Sequence, residues 1–201
     1  MPIQIGARTG HTFGEPLGLL SDCHRRIEKF LDQLLQVAEQ AQGGPLTGPQ
    51  REALDTALRY FHKAAPLHTA DEESSLFPRM RATGDPAAAE AFAALDMLEA
   101  DHRAAAADHA EVDTLGQEWL LEGCLPHAET QQLIQTLQRL KALYARHIAV
   151  EDRQVFPLAG RLLSEDTLRT VGREMAMRRG LDADTISPQP SSKRNNTGPA
   201  E

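Results

Sequence analysis

The chain has 201 residues, enough for one domain with a full core, and only 4% are aromatic; abundant Ala, Leu, Glu and Gln favour helices over strands. A formal net charge of −8 argues against nucleic acid, which needs a basic patch to displace counterions. No stretch approaches the roughly 18 apolar residues of a membrane span, no signal-peptide pattern opens the chain, and Cys23 and Cys124 are too few for a disulfide framework. The expectation is a cytoplasmic protein with no membrane partner, in which Cys23 is a buried structural thiol.

Residues 1–15 show no readable period and form an N-terminal extension. A first helix is predicted from about Pro16 to Gln42, stopped by Gly43-Gly44-Pro45. The second runs from about Pro49 to Met80, and Pro66 inside it predicts a kink or a restart. Thr83-Gly84-Asp85-Pro86 reads as a turn, followed by a third helix from about Pro86 to Glu122 with a break at Gly116. A fourth spans about His127 to Gly160, and Ser164 is the N-cap of a short fifth helix within 161–181. The polar Ser, Pro and Asn residues of 182–201 predict a disordered tail. The fold class is therefore all-α: an antiparallel up-down-up-down four-helix bundle over 16–160, with a fifth helix and a tail.

Each bundle helix carries an apolar stripe spaced three and four residues apart. The stripes read Leu17, Leu20, His24, Ile27, Leu31; Leu58, Phe61, Ala65, His68, Glu72; Leu95, Leu98, His102, Ala105, His109, Val112; and Leu140, Tyr144, His147, Glu151, Val155. Histidines interrupt all four, and glutamates follow two of them. A core carboxylate costs several kcal/mol unless it is paired or ligated, so the set points to metal. The segment from His68 to Pro78 recurs from His147 to Pro157 as H-x-x-x-E-[ED]-x-x-[LV]-F-P, and Leu98–Arg103 faintly echoes Leu20–Arg25. Two similar hairpins about a pseudo-twofold would build a symmetric two-metal site. His109 is placed as either a channel residue or a structural one, and Tyr144 as a packed core tyrosine. Glu73 and Asp152 read as solvated helix faces, His11, His62 and His127 as off the stripes, and the Phe-Pro pairs as apolar plugs and helix stops.

Four imidazoles and two carboxylates suit iron better than manganese or zinc, and zinc prefers four ligands and has no redox chemistry. With both glutamates bridging, each of two irons receives two nitrogens and two oxygens. A bridging oxo or hydroxo ligand makes five, leaving a position for a small diatomic or peroxide.

These segments resemble the hemerythrin-like (HHE cation-binding) family over roughly 16–160. The resemblance implies a four-helix bundle around a non-haem di-iron centre ligated by His24, His68, Glu72, His102, His147 and Glu151. Oxygen carriers of that family have a further histidine four residues after the one on the third helix, where this chain has Ala106, and an Asp five residues on where it has Glu151. On that reading both irons keep an exchangeable position, and oxygen oxidises the centre instead of binding reversibly. The expected function is binding or sensing of O2, NO or reactive oxygen species, by a monomer or homodimer. The alternatives are an enzyme that decomposes peroxide or reduces NO, and a structural helical domain without a native metal.

Overall fold

A computed structural model describes residues 10–85 and 89–181; the start of the third predicted helix at Pro86, the 182–201 tail and residues 1–9 of the extension lie outside these. Among the described residues there are helices and no strands. Helix α1 (Pro16–Ala41) opens on a proline, whose fixed φ suits a first helical turn. It ends where Gln42 and Gly43 take positive φ, and a side chain on Gly43 would run into Leu125 and Thr130. That close approach ties the first connection to the third, with Leu125 N–H donating to Gly43 C=O (2.8 Å) and Trp119 Nε1 to Gly44 C=O (3.0 Å).

Helix α2 (Gly48–Lys63) begins with a reciprocal capping box between Thr47 and Gln50. The chain breaks at Ala64 and restarts as α3 (Ala65–Asp71) with Pro66 in its first turn, the predicted restart. A π-helical turn (Glu72–Leu76) joins α3 to α4 (Phe77–Ala82). Helix α5 (Ala89–Glu122) runs unbroken through Gly116, contrary to the expected break. Gly116 is there for packing: a Cβ would lie 2.7 Å from Leu58 Cδ1, so the glycine lets α2 close on α5. Helix α6 (His127–Val150) leads through a second π-helical turn (Glu151–Val155) into α7 (Phe156–Leu162). Ser164 caps α8 (Glu165–Arg178), accepting from Thr167 N–H, as its position in the sequence predicts.

Helices α1, α2, α5 and α6 form a ring in which α1 packs on α2 and α6, and α5 packs on the same two. Helix α8 lies against α1, α3 and the first π turn. The interior is split. One apolar cluster holds Ile27, Leu58, Ala65, Ala105, Leu137 and Tyr144. A second holds Leu20, Leu76, Leu98, Val155, Val171 and Met175. His24, His68, Glu72, His102, His147 and Glu151 fall between the two along their stripes, so a polar layer crosses the bundle, whereas His109 lies between Ala105 and Val112 of the first cluster. None of the described helices is long and apolar enough to cross a membrane.

Candidate metal centre

Both π turns begin at a glutamate of the layer and have the same cause. In an α-helix the ring of Pro78 would collide with the carbonyl of Ser74, and that of Pro157 with Arg153. The wider turn relieves this, and the N–H of Phe77 donates five residues back to Glu72 C=O, as Phe156 does to Glu151 C=O. The helices thus continue past Phe-Pro instead of stopping there. Leu76, Phe77 and Met80, like Val155, Phe156 and Ala159, are buried directly beyond the layer, and the Phe156 ring stacks on His24 at 5.4 Å.

The six predicted residues converge, with His102 at the rim and the other five deeply buried. They make two groups of four, His24, His68, Glu72 and Glu151, and Glu72, His102, His147 and Glu151, each with its donor atoms within 4.8 Å of one another. The glutamates belong to both. Glu72 turns Oε1 toward His68 Nε2 (3.3 Å) and Oε2 toward His102 Nε2 (3.5 Å), while Glu151 Oε2 lies between His24 Nε2 (3.0 Å) and His147 Nε2 (3.2 Å). Both carboxylates, with His24 Nε2 and His147 Nε2, are buried without a hydrogen bond. Such atoms are costly in a core, and a cation between them would satisfy the set.

Charge is finely balanced among these groups. Burial opposes a proton on His24, but Asp152, Glu151 and Glu72 outweigh it and push its pKa up to about 12. Burial lifts the Glu72 carboxyl well above its ordinary range, and the neighbouring Glu151 adds to this. Burial, then the charge of His24, hold His68 neutral.

Behind the imidazoles stand carboxylates that the sequence pattern places on solvated faces. His24 Nδ1 meets Asp152 Oδ1 at 3.0 Å, and Ser21 Oγ donates to that same oxygen at 2.7 Å. His102 Nδ1 meets Glu73 Oε1 at 2.8 Å. The arrangement is crossed: Asp152 follows Glu151 yet serves a histidine of the first hairpin, and Glu73 follows Glu72 yet serves one of the second. The repeated [ED] was the signal, but only the packing shows which histidine each acid reaches. His147 Nδ1 lies 3.6 Å from Asp101. His68 Nδ1 is buried and has no hydrogen-bond partner.

Other residues sort clearly. His109 Nε2 and Tyr144 OH share a 2.9 Å hydrogen bond, and Tyr144 presents its ring edge to His147 at 6.0 Å. His109 is thus tied to Tyr144 and belongs to neither ligand group. His11 pairs with Asp22 at 3.2 Å, and His62 and His127 are exposed. Cys23 is buried beside Arg26, and Cys124 is exposed. Ala106 is exposed on α5, so a histidine there would face solvent. The lack of a donor at Ala106 therefore does not by itself leave an exchangeable position on each metal.

A helical bundle whose interior carries imidazoles around two shared carboxylates has the form of a cation-binding domain. The chain belongs to the hemerythrin family: it matches the hemerythrin HHE cation-binding domain over residues 15–159. A protein of Haemophilus influenzae strain Rd, named only as uncharacterized, is 29% identical over 168 residues, covering 84% of this chain and 92% of its own.

Proposed function

We propose that His24, His68, Glu72, His102, His147 and Glu151 hold two non-haem iron ions with an oxide or hydroxide bridge, and that the protein binds or senses O2, NO or reactive oxygen species at them. The observation that carries this is the sharing of Glu72 and Glu151 by both donor groups. Each group offers two imidazole nitrogens and an oxygen from each glutamate. Two of six octahedral positions then remain, one for the bridge and one for a small ligand. Iron would supply one-electron redox chemistry there.

The chain's own residues do the rest. Glu72 and Glu151 span the two groups, and their negative charge is matched to a pair of cations. Asp152 and Glu73 accept from the Nδ1–H of His24 and His102, which fixes the tautomer and turns each Nε2 inward. The apolar clusters on either side exclude bulk water. Short connections between successive helices make the ring an up-down-up-down bundle, which brings the two hairpins into register.

Metal analysis of protein purified without oxygen tests the reading. About two irons per chain are expected, with a ligand-to-metal absorption spectrum that changes on adding O2, NO or peroxide. Zinc in place of iron after iron-replete expression would overturn it, as would a spectrum indifferent to all three ligands.

A further inference from the structure

The two copies of the repeat differ beside Glu72. Asp71, which precedes Glu72, is completely buried, and each of its oxygens takes a different arginine of the C-terminal segment: Arg178 Nη1 donates to Oδ1 at 2.8 Å and Arg179 Nη2 to Oδ2 at 2.7 Å. Arg178 Nη2 also donates to Ser75 Oγ within the π turn, and Ser75 Oγ donates to Glu174 Oε2, both at 2.5 Å. Arg79 closes the network, bonding both oxygens of Glu174 (2.8 and 3.1 Å) and the carbonyl of Ser75 (2.8 Å). In the second copy of the repeat, 79 residues on, Asp71, Ser75 and Arg79 are replaced by Val150, Gln154 and Leu158; Val150 and Leu158 have no polar group, and Gln154 is exposed. The second π turn therefore has no equivalent of this anchor.

The histidine of the anchored segment explains why one is needed. His24 and His102 are oriented by hydrogen-bonded carboxylates; His147 Nδ1, like that of His68, makes no hydrogen bond, but the Asp101 carboxylate lies 3.6 Å from it. His68 has nothing on its Nδ1. Its ring can be aimed only by packing and by where its backbone is held. That backbone is α3, which ends at Asp71.

We propose that α8 and Arg179 form a positioning clamp for one half of the centre: through Asp71 and Ser75 they hold the segment that presents His68 and Glu72, so the His24–His68 group, which takes both residues from it, depends on α8 more than the His102–His147 group, which shares only Glu72. This rests on the cation-binding reading above. It makes the two metal positions unequal although their donor atoms match in kind. Arg178 and Arg179 act through Asp71 and touch neither ligand group.

The test uses the full-length chain with Arg178→Ala/Arg179→Ala, Asp71→Asn, and Arg178→Lys/Arg179→Lys as the charge-preserving rescue. Co(II) titration followed by absorption reads the two metal positions. Backbone hydrogen exchange of the metal-free protein reads the two π turns. The expected result for the alanine and asparagine variants is at least tenfold weaker binding of one equivalent, with the other, which shares only Glu72 with the anchored segment, weakened markedly less. Exchange should be at least tenfold faster across 72–77 and unchanged across 151–156, and the lysine variant should recover much of both. Equal weakening of both equivalents overturns the proposal, as does an unchanged titration or exchange that quickens equally in both turns. If the wild-type chain binds no Co(II), the cation-binding reading fails, and the exchange measurement still decides whether α8 anchors the first turn. A variant that fails to fold is recognised by loss of protection throughout; Asp71→Asn, nearly isosteric, then carries the test.

Discussion

Asp152 and Glu73 each reach across from one hairpin to a histidine of the other, so their removal should be felt across the pseudo-twofold. Asp152→Asn is expected to weaken iron at the His24–His68 group, and Glu73→Gln at the His102–His147 group, each by about 10- to 100-fold. Competition with a chelator measures this, and equal effects on both equivalents would show that the crossed pairing has no consequence. His109 offers a different measurement. Burial depresses its pKa to about 4 from an ordinary 6.5. The unfolded chain binds this proton more readily, so the contribution of neutral His109 is present above pH 6.5 and is lost as pH falls toward 4. The difference corresponds to about 3 kcal/mol. His109→Gln keeps a polar partner for Tyr144 and removes the titration. Urea denaturation of the metal-free proteins at pH 7.5 and 5 should show a smaller pH effect in the variant; identical pH dependence would contradict the assignment.

The elements were legible where periodicity and capping speak locally. Ser164, Gly43 and Pro66 are marked in the sequence and act where expected, and Thr47 with Gln50 caps α2 beside the expected start at Pro49. The six converging residues were legible too, because a carboxylate or imidazole on an apolar stripe is tolerated there only when paired or ligated. Three things were hidden. Gly116 looks like a helix breaker, and its real partner, Leu58, lies on another helix. Phe-Pro looks like a stop, and the local sequence does not reveal that a wider turn can absorb the proline. Asp71 lies next to Glu72, and nothing in the local sequence shows that the end of α8 folds onto it. The π turn yields a prediction at this scale. An alanine inserted after Ser74, beyond the one extra residue that the π turn already absorbs, would rotate α4 by about 100° relative to Glu72. Leu76, Phe77 and Met80, all fully buried, could not then all stay in the core, and a loss above about 3 kcal/mol is expected. Thermal melting of the metal-free protein checks it, and a melting temperature within a degree or two of wild type would rule out this role for the turn.

At the scale of the whole molecule, the polar layer divides the interior into two apolar clusters that share little packing of their own. A cation pair held there would join residues of both hairpins and both sides of the layer at once, and metal that binds only the folded chain adds stability by mass action. Chelation should therefore lower the melting temperature while helical circular dichroism persists, because each cluster retains enough Leu, Phe and other large apolar side chains to hold its helices. The consequence reaches beyond stability to cooperativity. With metal in place the bundle should melt as one unit, its calorimetric enthalpy equal to the van't Hoff enthalpy. Without it, like charges and unpaired imidazoles separate two hydrophobic halves, and the ratio of the two enthalpies should rise above one as the halves begin to melt independently. A ratio of one in both forms would mean that the helices running through the layer transmit order unaided. A ratio that rises only on chelation would make the metal the part that turns two small cores into a single thermodynamic body.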